Sequence, residues 1–346
     1  MLRKLVSIRN VKEVLPIEGA DFIELVKIDG WQCVVKKGEF KEGDYCIYFE
    51  IDSFLPIEER YEFLRKSSYK QLPDGTEGFR LKTMKLRKKL SQGLALPTTL
   101  FKEIDIDHDI EIDIAEKLNV IKYEQPIPAQ LSGTVKGMFP SFISKSDQER
   151  IQNLPEYFEQ YKDIEFEESE KCDGTSGTFF YNNGEFGVCS RNLELKEDVN
   201  NTFWKIINDT KIKESLEILK INVGIQGEVV GEGIQKNTLK IKGQDFLIYN
   251  IYDIDKMRYM TPDERKDFIK KLDNDKIKQV PIINERIKIF TKFTTMDSLI
   301  NYAEGNSLIN KEGKREGIIF KSYTLDNNNI ISFKVINNKY LLKVED

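Results

Sequence analysis

The chain has 346 residues, with 53 Lys plus Arg against 58 Asp plus Glu, a net charge of −5, four cysteines and a single histidine, His108. That length exceeds what one growing core supports and predicts two domains, and 40% apolar with 32% charged residues describes a globular chain. One histidine excludes a His-rich zinc site, and Cys33, Cys46, Cys172 and Cys189 lack the CxxC spacing of a zinc ribbon or a thioredoxin-type pair.

Scattered cysteines predict reduced thiols and an intracellular protein, cytoplasmic or nuclear. The start, MLRKLVSIRNVKEVL, has no apolar h-region, and no later run approaches 18 apolar residues, so neither a secretory signal nor a membrane span is predicted. The net charge argues against a uniformly basic coat and leaves room for a local basic patch.

In chain order, LVSIRN, FIELVKID, WQCVVK and DYCIYFEID read as strands separated by turn signals at Pro16 and Gly19, Asp29-Gly30, and Gly38 with Gly43-Asp44. This spacing predicts a small OB-like all-β barrel. A charged helical insert is expected at 57–69, followed by a second β stretch, GFRLKTMKLRKKLSQGLALP. Pro126, Pro128, Gly133, Gly137 and Pro140 mark an irregular connector, which sets the expected domains at 1–122 and 123–346. Ser146-Asp147-Gln148-Glu149 reads as a capping box that starts a helix through Ile151 and Leu154, broken at Pro155. Beyond residue 164, FEESEK, SGTFFYN, EFGVCSR, VGIQGEVVG, DFLIYNIYDI, EGIIFKSY and NIISFKVI read as strands. Thr261-Pro262-Asp263-Glu264 opens a helix that ends near Leu272. The second domain is therefore expected to be α+β with a mostly antiparallel sheet.

The chemistry centres on Lys171-Cys172-Asp173-Gly174, between two strand-like runs. Alone, this tetrapeptide is equally a polar turn with Asp-Gly at its corner. Residues further along the chain change its weight: Ser190-Arg191-Asn192, Glu228 inside GEVVG, Tyr249 inside FLIYNIYD, Glu316 in REGIIF and Lys334 in ISFKVI. Charges inside strands that otherwise read as core are costly unless paired or functional.

This order, K-x-D-G, S-R-N, G-E-x-x-G, an apolar strand with an aromatic, E-G-I-I-F-K and a closing F-K, resembles the covalent nucleotidyltransferase superfamily of polynucleotide ligases and capping enzymes. More narrowly, GEVVGEGIQKN, SKSDQERIQN, REGIIFK and SFKVINNKYLLK resemble ATP-dependent RNA ligases. IEGADFIELVKIDGWQCVVKKGEFKEGDYCIYFEIDS and LSQGLALP resemble the nick-sealing branch with an N-terminal OB-like domain, the Deinococcus/Naegleria type. Only residues 335–346 come after Lys334, whereas the resembled DNA ligases and capping enzymes place an OB domain there, which disfavours both. A catalytically silent nucleic-acid-binding relative is the remaining alternative.

The resemblance implies a nucleotidyltransferase (ATP-grasp-like ligase) domain with antiparallel sheets, ATP as AMP donor, and Mg²⁺ or Mn²⁺. It implies an RNA substrate with 3′-OH and 5′-phosphate ends, in a nicked duplex, sealed by a monomeric enzyme. Lys171 is implied as nucleophile. At an ordinary pKa near 10.4 roughly one amine in 2,500 is neutral at pH 7, so the site is expected to favour the free amine. The resemblance gives Asp173, Glu228 and Glu316 to the metal, Glu228 also to the ribose, and Lys334 to the α-phosphate. It gives Arg191 to ribose or phosphate, and Tyr249 to adenine, with core packing as the plain reading of that tyrosine. Arg150 would orient pyrophosphate, or else form a surface salt bridge. Lys334-Val335-Ile336 departs from the K-x-K of some relatives, so Lys334 acts alone or Lys321 or Lys339 helps.

Phe79–Leu90, FRLKTMKLRKKL, carries Arg80, Lys82, Lys85, Arg87, Lys88 and Lys89 without an acid. Such a run is a solvated face or, as expected here, a clamp on the duplex backbone.

Overall fold

A computed structural model describes residues 4–72, 74–110, 112–123 and 134–344. The chain divides into two units, Met1–Ile127 with Leu341–Asp346, and Pro128–Tyr340. Of the expected connector, Pro126, Pro128 and Gly133 lie outside the described residues, while Gly137 sits at an irregularity in a strand.

In the first unit, alternating apolar runs form β1 (Val6–Pro16), β2 (Ile23–Ile28), β3 (Trp31–Lys36), β4 (Tyr45–Phe49), β5 (Ser53–Pro56), β6 (Tyr69–Gln71), β7 (Glu77–Arg80), β8 (Met84–Leu86), β9 (Lys89–Ser91), β10 (Leu94–Pro97) and β11 (Ile121–Lys122). One sheet has the order β10-β4-β1-β2-β3 and a second β11-β5-β7-β6, while β8 and β9 form a hairpin. The period-2 pattern explains why β4 is buried on both faces. Ile47 and Phe49 enter one core cluster with Val6, Ile8, Phe79 and Phe101, and Cys46 and Tyr48 enter another with Val26, Trp31 and Cys33. The expected insert is present as a 3₁₀ turn, Glu59–Leu64, leading into the helix Arg65–Ser68.

The second unit contains β12 (Val135–Met138), β13 (Glu149–Arg150), β14 (Phe166–Lys171), β15 (Thr175–Asn182), β16 (Glu185–Cys189), β17 (Leu193–Leu195), β18 (Val223–Gly231), β19 (Gln244–Asp253), β20 (Arg258–Tyr259), β21 (Lys278–Gln279), β22 (Ile282–Ile287), β23 (Gly317–Asp326) and β24 (Asn329–Ile336). Two sheets result: β12-β17-β16-β15-β18-β19-β20, with β21 on β19, and β13-β24-β23-β14-β22. Pairing is antiparallel except for β13 on β24 and β21 on β19. Each sheet has its own apolar cluster, one around Phe179, Ile225 and Ile251, the other around Phe166, Phe320 and Phe333. The chain passes from one sheet to the other at Cys172-Asp173-Gly174, because β14 belongs to the second sheet and β15 to the first.

The helix Pro262–Lys271 starts as expected. Thr261 accepts from the Glu264 N–H, and the Glu264 carboxylate accepts from the Thr261 N–H, a complete capping box. The capped helix expected from Ser146 does not form. Glu149–Arg150 instead pairs in parallel with Phe333–Lys334, and a 3₁₀ turn, Ile151–Asn153, comes next. Of the two capping groups, Ser146 Oγ lies 3.0 Å from Tyr249 OH and Glu149 Oε1 accepts from the Arg150 N–H and from Asn153 Nδ2, while Asp147 between them meets Lys334. The four cysteines are free and buried, and burial pushes their thiols up.

Candidate active site

The seam between the two sheets of the second unit gathers the charged residues that sit inside apolar strands. Lys171 ends β14, opposite Gly317 at the start of β23, and its Nζ lies 2.5 Å from Glu316 Oε1. Asp173 sits in the crossing loop, where Oδ2 accepts from Tyr340 OH at 2.7 Å and from Thr238 Oγ1 at 3.1 Å. Gly174 is required by close approach, since a Cβ there would lie 2.3 Å from the Val229 carbonyl and 2.9 Å from Glu228 Cγ. Glu228 is half-buried on β18, opposite Ser176 of β15.

Electrostatics bind these groups into one cluster. Burial pushes the Glu228 carboxyl up to about 7; Lys171 opposes that rise, while Glu316 and Asp173 add to it. For Lys171, burial alone would lower the amine, but the charges of Glu316, Glu228 and Asp173 prevail and raise it. Without a cation, the carboxylates facing Lys171 thus favour its ammonium form, and the free amine expected for catalysis calls for a cation that offsets their charge. Lys334, by contrast, is pushed down to about 8 by burial and by the neighbouring Arg150 and Lys171, against the pull of Asp147.

Asp147 ties the cationic side together. Its Oδ1 is 3.4 Å from Lys334 Nζ, and its Oδ2 is 3.8 Å from Arg191 Nη2. Arg191 is exposed in the loop after β16, and half-buried Arg150 stands beside Lys334 in register. Tyr249 on β19 is half-buried, its hydroxyl 3.0 Å from Ser146 Oγ and 2.9 Å from Ser176 Oγ. Its carbonyl accepts from Lys321 Nζ, while Lys339 pairs with Glu304 at 2.5 Å. Lys171, Asp173, Glu228 and Glu316 thus come together, Lys334 and Arg191 both approach Asp147, and Arg150 stands beside Lys334. Sequence reasoning missed Asp147, Thr238 and Tyr340; Asp147 reads locally as part of a helix cap, and the other two carry no local signal.

Clustered carboxylates with one proton-hungry member are a hard-oxygen donor set suited to Mg²⁺ or Mn²⁺. Among the described residues no three His, Cys, Asp or Glu side chains already converge as a metal-binding group. Mg²⁺ in general keeps several of its waters and takes only one or two carboxylates directly, so a donor set for it need not close into an all-protein cage.

In the first unit, the basic run splits. Arg80 is committed to Asp52 at 3.2 Å and stacks 4.2 Å from the Tyr123 ring centroid. Lys82, Lys85, Arg87, Lys88 and Lys89 are exposed, and Arg87-Lys88 form the two-residue turn between β8 and β9, with φ of 48° and 65°.

An OB-fold domain model matches residues 5–98, and an RNA ligase family model matches residues 164–336. The chain is similar to an apo mutant of Naegleria gruberi RNA ligase, with 44% identity over 99% of each chain and a TM-score of 0.87. It is similar to the same ligase with PPi, at 44% identity over 100% of each chain and a TM-score of 0.86. A mutant of that ligase with ATP and Mn matches at 43% identity over 98% of this chain and 99% of the other, with a TM-score of 0.86. No curated protein matches the chain. The first unit accordingly carries an OB-fold domain, and the second has the mixed α/β architecture of the ligase, with mainly antiparallel sheets. No helix among the described residues is long and apolar enough to cross a membrane.

Proposed function

The chain belongs to the RNA ligase family, and on that premise we propose that it uses ATP to join 3′-hydroxyl and 5′-phosphate RNA ends at nicks in duplexes, through a lysyl-AMP at Lys171. The observation that carries this reading is the convergence of Lys171, Glu316, Glu228 and Asp173 at the sheet seam, with Lys334 lowered beside them. Titratable groups pushed in opposite directions within one cluster are what acid–base and nucleophilic chemistry requires.

In the first step, Lys171 gives up a proton and its Nζ attacks the α-phosphorus of ATP; a P–N bond forms, the bond to the β-phosphate oxygen breaks, and pyrophosphate leaves. Lys334 neutralises charge growing on the α-phosphate oxygens. Arg150 orients the leaving pyrophosphate, and Arg191 contacts ribose or phosphate. Arg191 near the Asp147 carboxylate and Arg150 beside Lys334 support these roles. Tyr249, its hydroxyl fixed by Ser146 and Ser176, offers its ring to adenine. In the second step a 5′-phosphate oxygen attacks the lysyl-bound phosphorus, the P–N bond breaks, and the amine recovers its electron pair. In the third, the 3′-hydroxyl attacks the activated 5′-phosphorus and AMP departs.

Asp173, Glu228 and Glu316 would hold Mg²⁺ or Mn²⁺, partly through water, and Glu228 can also reach the ribose. The cation supplies charge neutralisation at the phosphates. Residues 1–122 would hold the duplex, with Lys82, Lys85, Arg87, Lys88 and Lys89 on its backbone, and Arg80 bracing their base. Residues 123–346 would carry the adenylyltransferase, the whole acting as a monomer.

The test is covalent labelling. The protein is incubated with Mn²⁺ and α-labelled ATP or GTP, denatured, and examined for bound label. Label from ATP that is lost in Lys171→Ala is expected; absence of label from ATP overturns the reading. Sealing of nicked duplexes with RNA or DNA at the 3′-hydroxyl side then reports strand preference.

A further inference from the structure

The turn after β24 joins segments that lie far apart in the chain. Asn337 is fully buried; its Nδ2 donates to the Arg315 carbonyl at 2.8 Å, and its backbone N–H donates to the Glu316 carbonyl at 2.9 Å. Its Oδ1 accepts from the backbone N–H groups of Lys339 and Tyr340, at 3.0 and 3.2 Å. Asn337 thereby caps the helix Asn338–Val344 while holding the backbone of Glu316. The capped turn delivers Tyr340, 6% exposed, whose hydroxyl donates to Asp173 Oδ2 at 2.7 Å. Thr238 donates to the same oxygen, and its own carbonyl is held by Asn310 Nδ2 at 2.9 Å. Two donors on one oxygen of a carboxylate select one rotamer of it, and a hydrogen bond to an ionised group is among the stronger ones.

We propose that Tyr340 is a positioning residue for lysine adenylylation: its phenol, with Thr238, holds Asp173 Oδ2 so that the carboxylate is presented to the divalent cation shared with Glu228 and Glu316. The inference rests on the reading of Asp173 as a cation-facing group. A purely structural Tyr340 would serve through its buried ring. A phenylalanine keeps that ring and removes only the hydroxyl, so the two roles separate in one substitution.

The experiment uses the full chain with Tyr340→Phe and, separately, Thr238→Val. Mn²⁺ affinity is read by electron paramagnetic resonance of free Mn²⁺ in the presence of α,β-methylene-ATP, which cannot transfer AMP. Lysyl-AMP formation is then followed against Mn²⁺ concentration. Partners that orient a metal ligand typically change metal affinity by 10–100-fold, so Tyr340→Phe is expected to weaken Mn²⁺ binding about tenfold. The Mn²⁺ concentration for half-maximal labelling should rise by the same factor, with the loss recovered at saturating Mn²⁺. Thr238→Val should move both readouts in the same direction. Unchanged Mn²⁺ affinity in folded Tyr340→Phe overturns the proposal, as does a lower maximal rate at an unchanged half-saturation point. Should Tyr340→Phe not fold, Thr238→Val carries the test with the same two outcomes. If the unaltered protein forms no lysyl-AMP, the ligase reading fails, while the resonance titration still decides the role of Tyr340.

Discussion

Lys171 Nζ stands 2.5 Å from Glu316 Oε1, and this ion pair joins the end of one strand to the residue before its antiparallel neighbour. It opposes nucleophilicity, because the carboxylates that gather around the lysine are what keep its proton in place. The same negative charge is what a divalent cation would neutralise. Cation binding and loss of the lysine proton are thus coupled through Glu316, Glu228 and Asp173.

Lys171→Arg preserves a cation opposite Glu316 but removes the nucleophile. It should abolish covalent label and leave the melting temperature within about a degree, since a part-exposed pair contributes about 0–1 kcal/mol. Lys171→Met should also abolish label, and in addition lower the melting temperature, because three carboxylates lose their shared cation. Labelling and calorimetry on the two variants check this; equal melting temperatures would show that the pair does not hold the cluster.

Neutralising Lys82, Arg87, Lys88 and Lys89 together should weaken nick sealing at physiological salt by at least tenfold while sparing lysyl-AMP formation. The salt slope of duplex binding should fall by about 0.9 for each phosphate that is no longer neutralised. Arg80→Ala should act differently and lower stability, because Arg80 is engaged with Asp52 and Tyr123. Lys88→Gly relieves a left-handed backbone and should stabilise the hairpin by about 1 kcal/mol even as it takes one positive charge from the duplex. Binding titrations at several salt concentrations, with parallel melts, separate these effects.

Lys321 is 2% exposed, and burial together with the Arg265 guanidinium pushes its amine down to about 7. An unfolded lysine titrates near 10.4, so between about pH 7 and 10 the unfolded chain binds more protons and stability rises with pH. From pH 7 to 9 this group should contribute a rise of up to about 2 kcal/mol. Lys321→Met should flatten that rise in urea unfolding at the two pH values; an unchanged slope refutes the assignment.

Glu264 is drawn down to about 2, first by its hydrogen bonds to Arg258 and also by the Thr261 N–H. A depressed carboxylate stabilises the fold above its unfolded value near 4.3 and loses that contribution as pH falls towards 2. Glu264→Ala should cost about 1 kcal/mol at pH 7, as loss of a helix cap does. The difference from the unaltered protein should shrink between pH 4.5 and 3, measured by urea unfolding.

Much of the architecture is legible in the sequence. Strand-forming runs bounded by turn residues locate the strands of both units, and the Thr261 capping box forms as read, since both are set by residues within a few positions of each other. The Ser146 box satisfies the same local rule and fails, because Tyr249 engages the Ser146 hydroxyl from 103 positions away and Glu149–Arg150 pairs with Phe333–Lys334. The basic run is visible as six residues, but not that Arg80 is engaged by Asp52 while the hairpin presents Lys85, Arg87, Lys88 and Lys89.

By itself the sequence determined which strands and which charged residues the chain would have, because alternation and capping are short-range steric and hydrogen-bonding effects. Only the tertiary structure decided that Glu316 would keep the proton on Lys171 and that Tyr340 would reach Asp173. Those relationships depend on strand register and on hydrogen bonds across 167 positions, where a charge or a hydroxyl acts through distance in space and not through distance along the chain.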